Sequence, residues 1–394
     1  MLRFCCFWIL LGILVGCPLD AVSQTRTYYV YLTDKPACEA PEQYYDQKAL
    51  VRRARHQVDF PQVSDLPLNP RYVQAIRHSV SRIRHELWWF NAVTVDATDS
   101  EIAALKTVPF VREIEEMAPG MVRPAEAPVP LPAANASELD KLYNHQRDQL
   151  RLGALRKTGL TGEGVRIAVF DTGFKNANEH PGLKHLFDRG LILATRDFYR
   201  DREDVYRKGS HGTQVLSCIA GYFTEGRPIG AAMDAEFLLA RTESTIWEKP
   251  IEEDHWLAAM EWADRKGADL ISSSLGYYKK RYTYKQLDGR QAVVTRAAQM
   301  AVRKGILVVN SIGNEGGGDH KYLIAPADDD SVLAVGGTFP MIRYPSRFTS
   351  FGPNARGVLK PNVSAPSIVV VAKPNGEWGR TAGTSFACPL ITGM

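Results

Sequence analysis

Between residues 165 and 372 the chain repeats one rhythm: a short apolar run, then a stretch with helical spacing. The runs are Val165–Phe170, Phe237–Ala240, Leu270–Ser274, Ile306–Asn310, Val332–Val335 and Ile368–Ala372. Such short apolar runs read as strands covered on both faces. Between them, Asp254–Lys266 sets Trp256, Met260 and Ala263 on one side and stops at Gly267, while Gln291–Lys304 stops at Gly305. Buried strands alternating with helices predict an α/β fold, a doubly wound parallel sheet with helices on both faces. In such a sheet ligands meet the carboxyl ends of the strands.

Upstream the pattern changes. Residues 24–118 read as a small α+β unit with strands at Tyr28–Leu32, Leu87–Val95 and Val111–Ile114. Its helices are Pro70–Ile83 and Glu101–Lys106, the second capped by Ser100. Residues 119–140 open with Pro119, Pro124, Pro128, Pro130 and Pro132 among alanines, the composition of an extended connector.

The first 23 residues read as an export signal: Arg3, then an apolar run from Phe4 to Gly16, then small residues at Ala21 and Ser23. That run is too short to cross ~30 Å of hydrocarbon comfortably. Leu14-Val15-Gly16-Cys17 also resembles a bacterial lipobox, cleavage at which leaves a lipid-anchored Cys17. Both routes export the chain, to the medium or the cell envelope; only the second attaches it to a membrane.

With 394 residues, 45% of them hydrophobic, the chain can bury a large core, which excludes a disordered tail. A net charge of +4 is far from that of a nucleic-acid binder. Beyond the signal lie Cys38, Cys218 and Cys388, without metal-ligand spacing. Cys218 and Cys388 read as buried thiols, with a bridge between them as the alternative.

Four segments carry chemistry. Asp171 ends a strand in Phe170-Asp171-Thr172-Gly173. A second Asp-Thr-Gly, which an aspartic protease needs, is missing, and so is the Gly-rich turn of a dinucleotide site. His211 opens an apolar helix in Ser210-His211-Gly212-Thr213, where the backbone can fix its ring. Asn314, in Gly313-Asn314-Glu315-Gly316, follows a buried strand and offers an amide donor to a developing oxyanion. Ser385, in Gly383-Thr384-Ser385-Phe386-Ala387-Cys388-Pro389, stands at a helix N-terminus. There its own N–H is one of the first-turn donors without a helical partner. Taken singly, each has a plain structural reading as a strand end, a helix start, a turn or a cap.

Together, in the order Asp, His, Ser, they form one of the known arrangements of a serine-protease triad. Residues 141–394 resemble the catalytic domain of the subtilisin-like serine proteases, the subtilases, and look in particular like a secreted bacterial branch of Bacteroidetes type. The resemblance implies that Asp171, His211 and Ser385 are the triad and that Asn314 lines the oxyanion hole. It also implies that Ser274-Leu275-Gly276 is the edge on which a substrate strand pairs. The unit at 24–118 resembles the subtilase inhibitory propeptide, which makes 119–140 the processing region and the propeptide an intramolecular inhibitor. Protein or peptide substrates are implied, with no cofactor for the chemistry and no nucleic-acid partner.

Departures are visible as well. Tyr277-Tyr278-Lys279-Lys280-Arg281-Tyr282 replaces the family's glycine after the Ser-Leu-Gly segment and reads as a solvated loop. Asn362 stands where the family commonly has Asp. Asp328-Asp329-Asp330 invites a structural calcium but lacks spaced ligands, so it reads as a solvated turn. Arg52-Arg53-Ala54-Arg55 reads as a charged helix face, with a protease-cut site as the alternative. Met394 follows Ser385 by nine positions, whereas the family's helix runs longer, so a catalytic domain truncated at its C-terminus is expected. The function expected is a secreted serine endopeptidase acting through an acyl-enzyme. Its alternative is a catalytically silent binding or scaffold protein with the same fold.

Overall fold

The computed structural model describes residues 25–117, 129, 131–245, 249–278 and 281–394. The export signal, most of the proline-rich segment, and Lys279 with Lys280 lie outside the described residues. The N-terminal unit contains β1 (Arg26–Leu32), α1 (Gln47–Arg55), α2 (Pro70–Arg77), β2 (Arg82–Leu87), β3 (Ala92–Ala97), α3 (Asp99–Leu105) and β4 (Val111–Glu116). Its four strands form an antiparallel sheet in the order β2-β3-β1-β4.

Period-two alternation gives this sheet two buried faces. Tyr28, Val30 and Leu32 of β1 pack with Val93, Val95 and helix residues Ile76 and Ile102. Tyr29 and Tyr31 point the other way, into the core of the following domain beside Trp256 and Ala297. The single strand expected at Leu87–Val95 is instead a hairpin, since the turn at Trp88–Asn91 separates β2 from β3. The helix expected to run to Ile83 ends at Arg77. The cap of α3 is Thr98, paired with Glu101 in a capping box, in place of Ser100.

Next come α4 (Ala136–Gln149), α5 (Leu152–Arg156), β5 (Arg166–Asp171), α6 (Lys184–Asp188), β6 (Ile192–Asp197), α7 (His211–Ala220) and a small ribbon, β7 (Tyr222–Phe223) with β8 (Arg227–Pro228). The chain continues through β9 (Glu236–Arg241), α8 (Ile251–Arg265), β10 (Leu270–Ser273), α9 (Val293–Arg303), β11 (Leu307–Ser311) and β12 (Leu333–Thr338). It closes with β13 (Val363–Pro366), β14 (Ile368–Ala372), β15 (Trp378–Ala382) and α10 (Thr384–Thr392).

Seven strands form one parallel sheet, ordered β13-β12-β11-β10-β5-β9-β6. Residues of α8 and α9 fill one face and residues of α4, α7 and α10 the other, giving the expected two-sided cover. Ile368–Ala372 does not join this sheet; it pairs antiparallel with β15. The places at the two edges go to β6 and β13, whose mixed polarity suits an edge and hides them from a search for apolar runs.

The N-terminal unit docks on α8 and α9. Arg52 and Arg53 of α1 are buried, neither a solvated face nor an exposed cleavage site. Arg53 reaches both oxygens of Asp264 on α8, at 2.9 and 2.7 Å, and Arg52 bonds the same carboxylate. Lys304, just past α9, bonds Asp65 of the N-terminal unit. Glu261 of α8 accepts the backbone N–H groups of Trp88 and Trp89 at 2.8 and 2.9 Å.

Candidate active site

Asp171 is the last residue of β5, and its neighbour Gly173 makes the close turn that follows. A Cβ on Gly173, at φ 130°, would stand 2.1 Å from the Lys208 carbonyl oxygen, so no side chain fits. That turn brings the start of α7 against the strand end, where Gly212 N–H donates to the Gly173 carbonyl at 3.0 Å. His211 Nδ1 thereby lies 3.0 and 2.9 Å from the two oxygens of Asp171. Thr172 N–H donates to Asp171 Oδ1 at 2.7 Å and helps fix the carboxylate.

Ser385 lies in the first turn of α10, whose N-terminus points at the same end of the sheet. Gly383, at φ 155°, precedes it; a Cβ there would stand 2.9 Å from Ser385 Oγ and 3.4 Å from Asn314 Nδ2. Both groups thus crowd one side of this glycine. Asn314 is oriented by its own oxygen, which accepts Thr384 N–H at 2.8 Å and Thr384 Oγ1–H at 3.0 Å. The His211 ring packs 5.1 Å from that of Phe386, the residue after Ser385. His211 Nε2 and Ser385 Oγ are both buried and, among the described residues, make no hydrogen bond to each other or elsewhere.

Ser274, Leu275 and Gly276 follow β10. The ladders from β10 to β5 and β11 end at Ser273, one residue earlier. Ser274 Oγ–H donates to the Ser385 carbonyl at 2.7 Å, and Asn310 Nδ2 donates to the Leu275 carbonyl at 2.9 Å. This segment is therefore tied to α10 and to β11. All seven residues singled out in the sequence stand at one end of the sheet. Three helpers stayed unnoticed there: Thr172, Thr384 and Ile324. Ile324 is buried, and its Cδ1 stands 2.2 Å from a Cβ built on Gly276 and 3.3 Å from one built on Gly313.

Several expectations change. Tyr277 and Tyr278 are buried, and Arg281 and Tyr282 bond Glu253. Asp328 is no solvated turn; it is buried and accepts Thr295 Oγ1–H at 2.6 Å and Gly289 N–H at 2.8 Å. Asn362 Oδ1 accepts Ala334 N–H at 2.9 Å and Lys360 Nζ–H at 2.9 Å. Cys218 and Cys388 are, as expected, buried and not joined in a disulfide. Among the described residues, no helix is long and apolar enough to cross a membrane.

A backed imidazole, a serine at a helix start and an amide donor make up the parts of nucleophilic acyl transfer. Comparison with known proteins agrees. The family described as "Subtilase family" matches residues 162–394, and that described as "Peptidase S8 propeptide domain, Bacteroidota" matches residues 27–128. The major intracellular serine protease of Bacillus subtilis is 30% identical over 243 residues, covering 60% of this chain and 68% of that protein. Subtilisin NAT of Bacillus subtilis subsp. natto is 25% identical over 339 residues, covering 85% and 77%. The epidermin leader peptide processing serine protease of Staphylococcus aureus has a similar fold. Its TM-score is 0.63 at 17% identity, covering 94% of this chain and 88% of that one.

Proposed function

The chain belongs to the subtilase family, as a serine endopeptidase with a propeptide domain of the Bacteroidota type, and from that premise we propose that Asp171, His211 and Ser385 are its catalytic triad. Ser385 Oγ attacks the scissile carbonyl while His211 Nε2 takes its proton. The same nitrogen then gives that proton to the leaving amine, and water resolves the acyl-enzyme by the reverse path. Asp171, bonded to Nδ1, holds the tautomer that leaves Nε2 basic and stabilises the imidazolium.

Asn314 and the Ser385 N–H receive the oxyanion. A substrate strand lies along Ser274–Gly276, adding to the edge beyond the β10 ladder. The observation that carries this reading is the double contact of Asp171 on His211 Nδ1, with Nε2 left without a partner beside α10. None of these steps calls on a cofactor.

In this reading residues 1–23 export the chain, 24–118 fold as the propeptide that inhibits the enzyme it precedes, 119–140 hold the processing region, and 141–394 carry the chemistry. The substrates are proteins or peptides outside the cytoplasm. A fluorophosphonate probe tests the central claim. Labelling of the wild-type chain, lost in Ser385→Ala, is expected. A chain that cleaves peptides yet is labelled elsewhere refutes the assignment, and a folded chain that neither labels nor cleaves is the scaffold alternative.

A further inference from the structure

A donor set stands at the seam between the propeptide domain and the catalytic domain, unused by the chemistry above. His85, half-buried on β2, shares a hydrogen bond with His255 of α8, Nε2 to Nδ1 at 2.9 Å. The same His85 nitrogen lies 3.8 Å from Asp254 Oδ2. One donor atom from each of the three residues lies within 4.8 Å of the other two. Among the described residues, this is the one group of three or more His, Cys, Asp or Glu side chains drawn so close together.

Asp254 is fully buried. Its Oδ2 accepts Thr94 Oγ1–H at 3.0 Å, which orients the carboxylate, while Oδ1 is buried without a hydrogen-bond partner. An orphaned buried carboxylate oxygen is costly, and a cation relieves it. Arg84 approaches Oδ2 only to 3.6 Å and is held by Asp96 at 2.9 Å. In the hydrogen bond between the two rings one nitrogen donates and the other accepts unprotonated. Neutral imidazole is the ligating form.

We propose that His85, His255 and Asp254 form a binding site for a divalent transition-metal ion, zinc fitting best, that clamps the propeptide domain onto the catalytic domain. Two imidazole nitrogens and one carboxylate oxygen suit zinc, whereas calcium and magnesium prefer all-oxygen shells. Zinc bonds of ~2.0–2.2 Å put neighbouring tetrahedral donors about 3.3 Å apart. The histidine pair therefore opens by a few tenths of an ångström and the carboxylate closes in. The proton the two rings share moves to the donor ring's other nitrogen, and a proton carried by the buried Asp254 carboxyl leaves to solvent. Water takes the fourth position. The positive charges of Arg82, Arg84 and Arg196 lie near the same site and oppose the cation's binding. Because His85 comes from one domain and its partners from the other, only the assembled precursor binds the ion.

The test uses the full chain with Ser385→Ala, titrated with zinc chloride in metal-free buffer by calorimetry and followed by thermal unfolding. One zinc per chain and a raised midpoint are expected. His85→Ala is expected to weaken binding by at least about tenfold and to abolish the midpoint shift. His85→Asn, which keeps a polar group but not the reach, guards against loss of the fold. Absence of saturable binding overturns the proposal. So does binding and stabilisation of equal size in the His85 variants, the result expected from zinc held at Asp171 and His211. The inference depends on the domain assignment and not on the triad, so a catalytically silent chain would still bind zinc.

Discussion

Asp171 presents both carboxylate oxygens to one nitrogen of His211, at 3.0 and 2.9 Å from Nδ1. The contact favours the tautomer with the proton on Nδ1, which leaves Nε2 free to serve as the proposed base. Asp171→Asn offers an amide that can satisfy the ring in the opposite tautomer, with Nε2 protonated and useless. Turnover of a peptide anilide is expected to fall about 10⁴-fold, with the fold kept by circular dichroism. A loss below tenfold contradicts the assigned role.

Asn314 is pre-oriented, because its oxygen is occupied by the Thr384 backbone and hydroxyl, which aims its amide nitrogen past Gly383. If the amide serves the proposed oxyanion hole, it acts only as charge develops, and Asn314→Ala is expected to lower kcat about 10²–10³-fold with KM little changed. Thr384→Val removes only the hydroxyl that orients it, and a smaller fall in kcat is expected. A change confined to KM would place Asn314 in ground-state binding instead.

Ile324 closes the crevice between the segment Ser274–Gly276 and the loop at Gly313, since its Cδ1 meets a Cβ built on either glycine. On the proposed substrate path along Ser274–Gly276, the side chain before the scissile bond is expected to enter this crevice. Small residues are therefore expected there. Ile324→Ala opens the space and is expected to raise the ratio of kcat/KM for Phe over Ala at that position about tenfold or more. The fold loses about 2–5 kcal/mol in exchange. An unchanged ratio means that the side chain goes elsewhere.

The sheet and the four chemical segments are legible in the sequence because each is local. Ile167–Phe170 is apolar throughout, and Asp171, His211, Asn314 and Ser385 each carry glycines that their turns require. Contacts set by distant parts of the chain are not. Ile368–Ala372 looks like a sheet strand, yet its partner is β15. Arg52 and Arg53 look solvated until Asp264, more than 200 residues away, is placed against them. His85 and His255 carry no spacing signal because a domain boundary separates them. Ile324 is one apolar residue among many, and only the two glycines facing it give it meaning.

Arg53 holds Asp264 through two nitrogens, with both side chains buried at the domain seam. Without Arg53, Asp264 keeps Arg52 as its one remaining cation but loses two charge-assisted hydrogen bonds, worth about 1.5–3 kcal/mol each. Arg53→Ala is therefore expected to lower the affinity of the propeptide for the catalytic domain a hundredfold or more, read as loss of inhibition by added propeptide. In the mature enzyme Asp264 becomes hydrated, so Asp264→Ala is expected to leave the mature enzyme's stability nearly unchanged. An equal loss in precursor and mature enzyme would make Asp264 a general structural residue, not part of the clasp.

Glu261 ties pH to the same seam. Burial lifts its carboxyl to about 7, against the opposing pull of Arg265, the Trp88 and Trp89 N–H groups and Lys35. In the unfolded chain the group titrates near its ordinary value of about 4.3. A carboxyl raised in the folded state favours folding only while protonated. Its contribution is thus full below about 4.3 and is lost as pH rises through about 7, a difference on the order of 3 kcal/mol. Glu261→Gln removes the titration and keeps one acceptor for the hairpin. Urea unfolding of the Ser385→Ala precursor is expected to show the variant gaining on the parent from pH 5 to about pH 7 and levelling off by pH 8. A constant gap across that range would mean that Glu261 stays ionised, with the two indole-residue amides and Lys35 outweighing its burial.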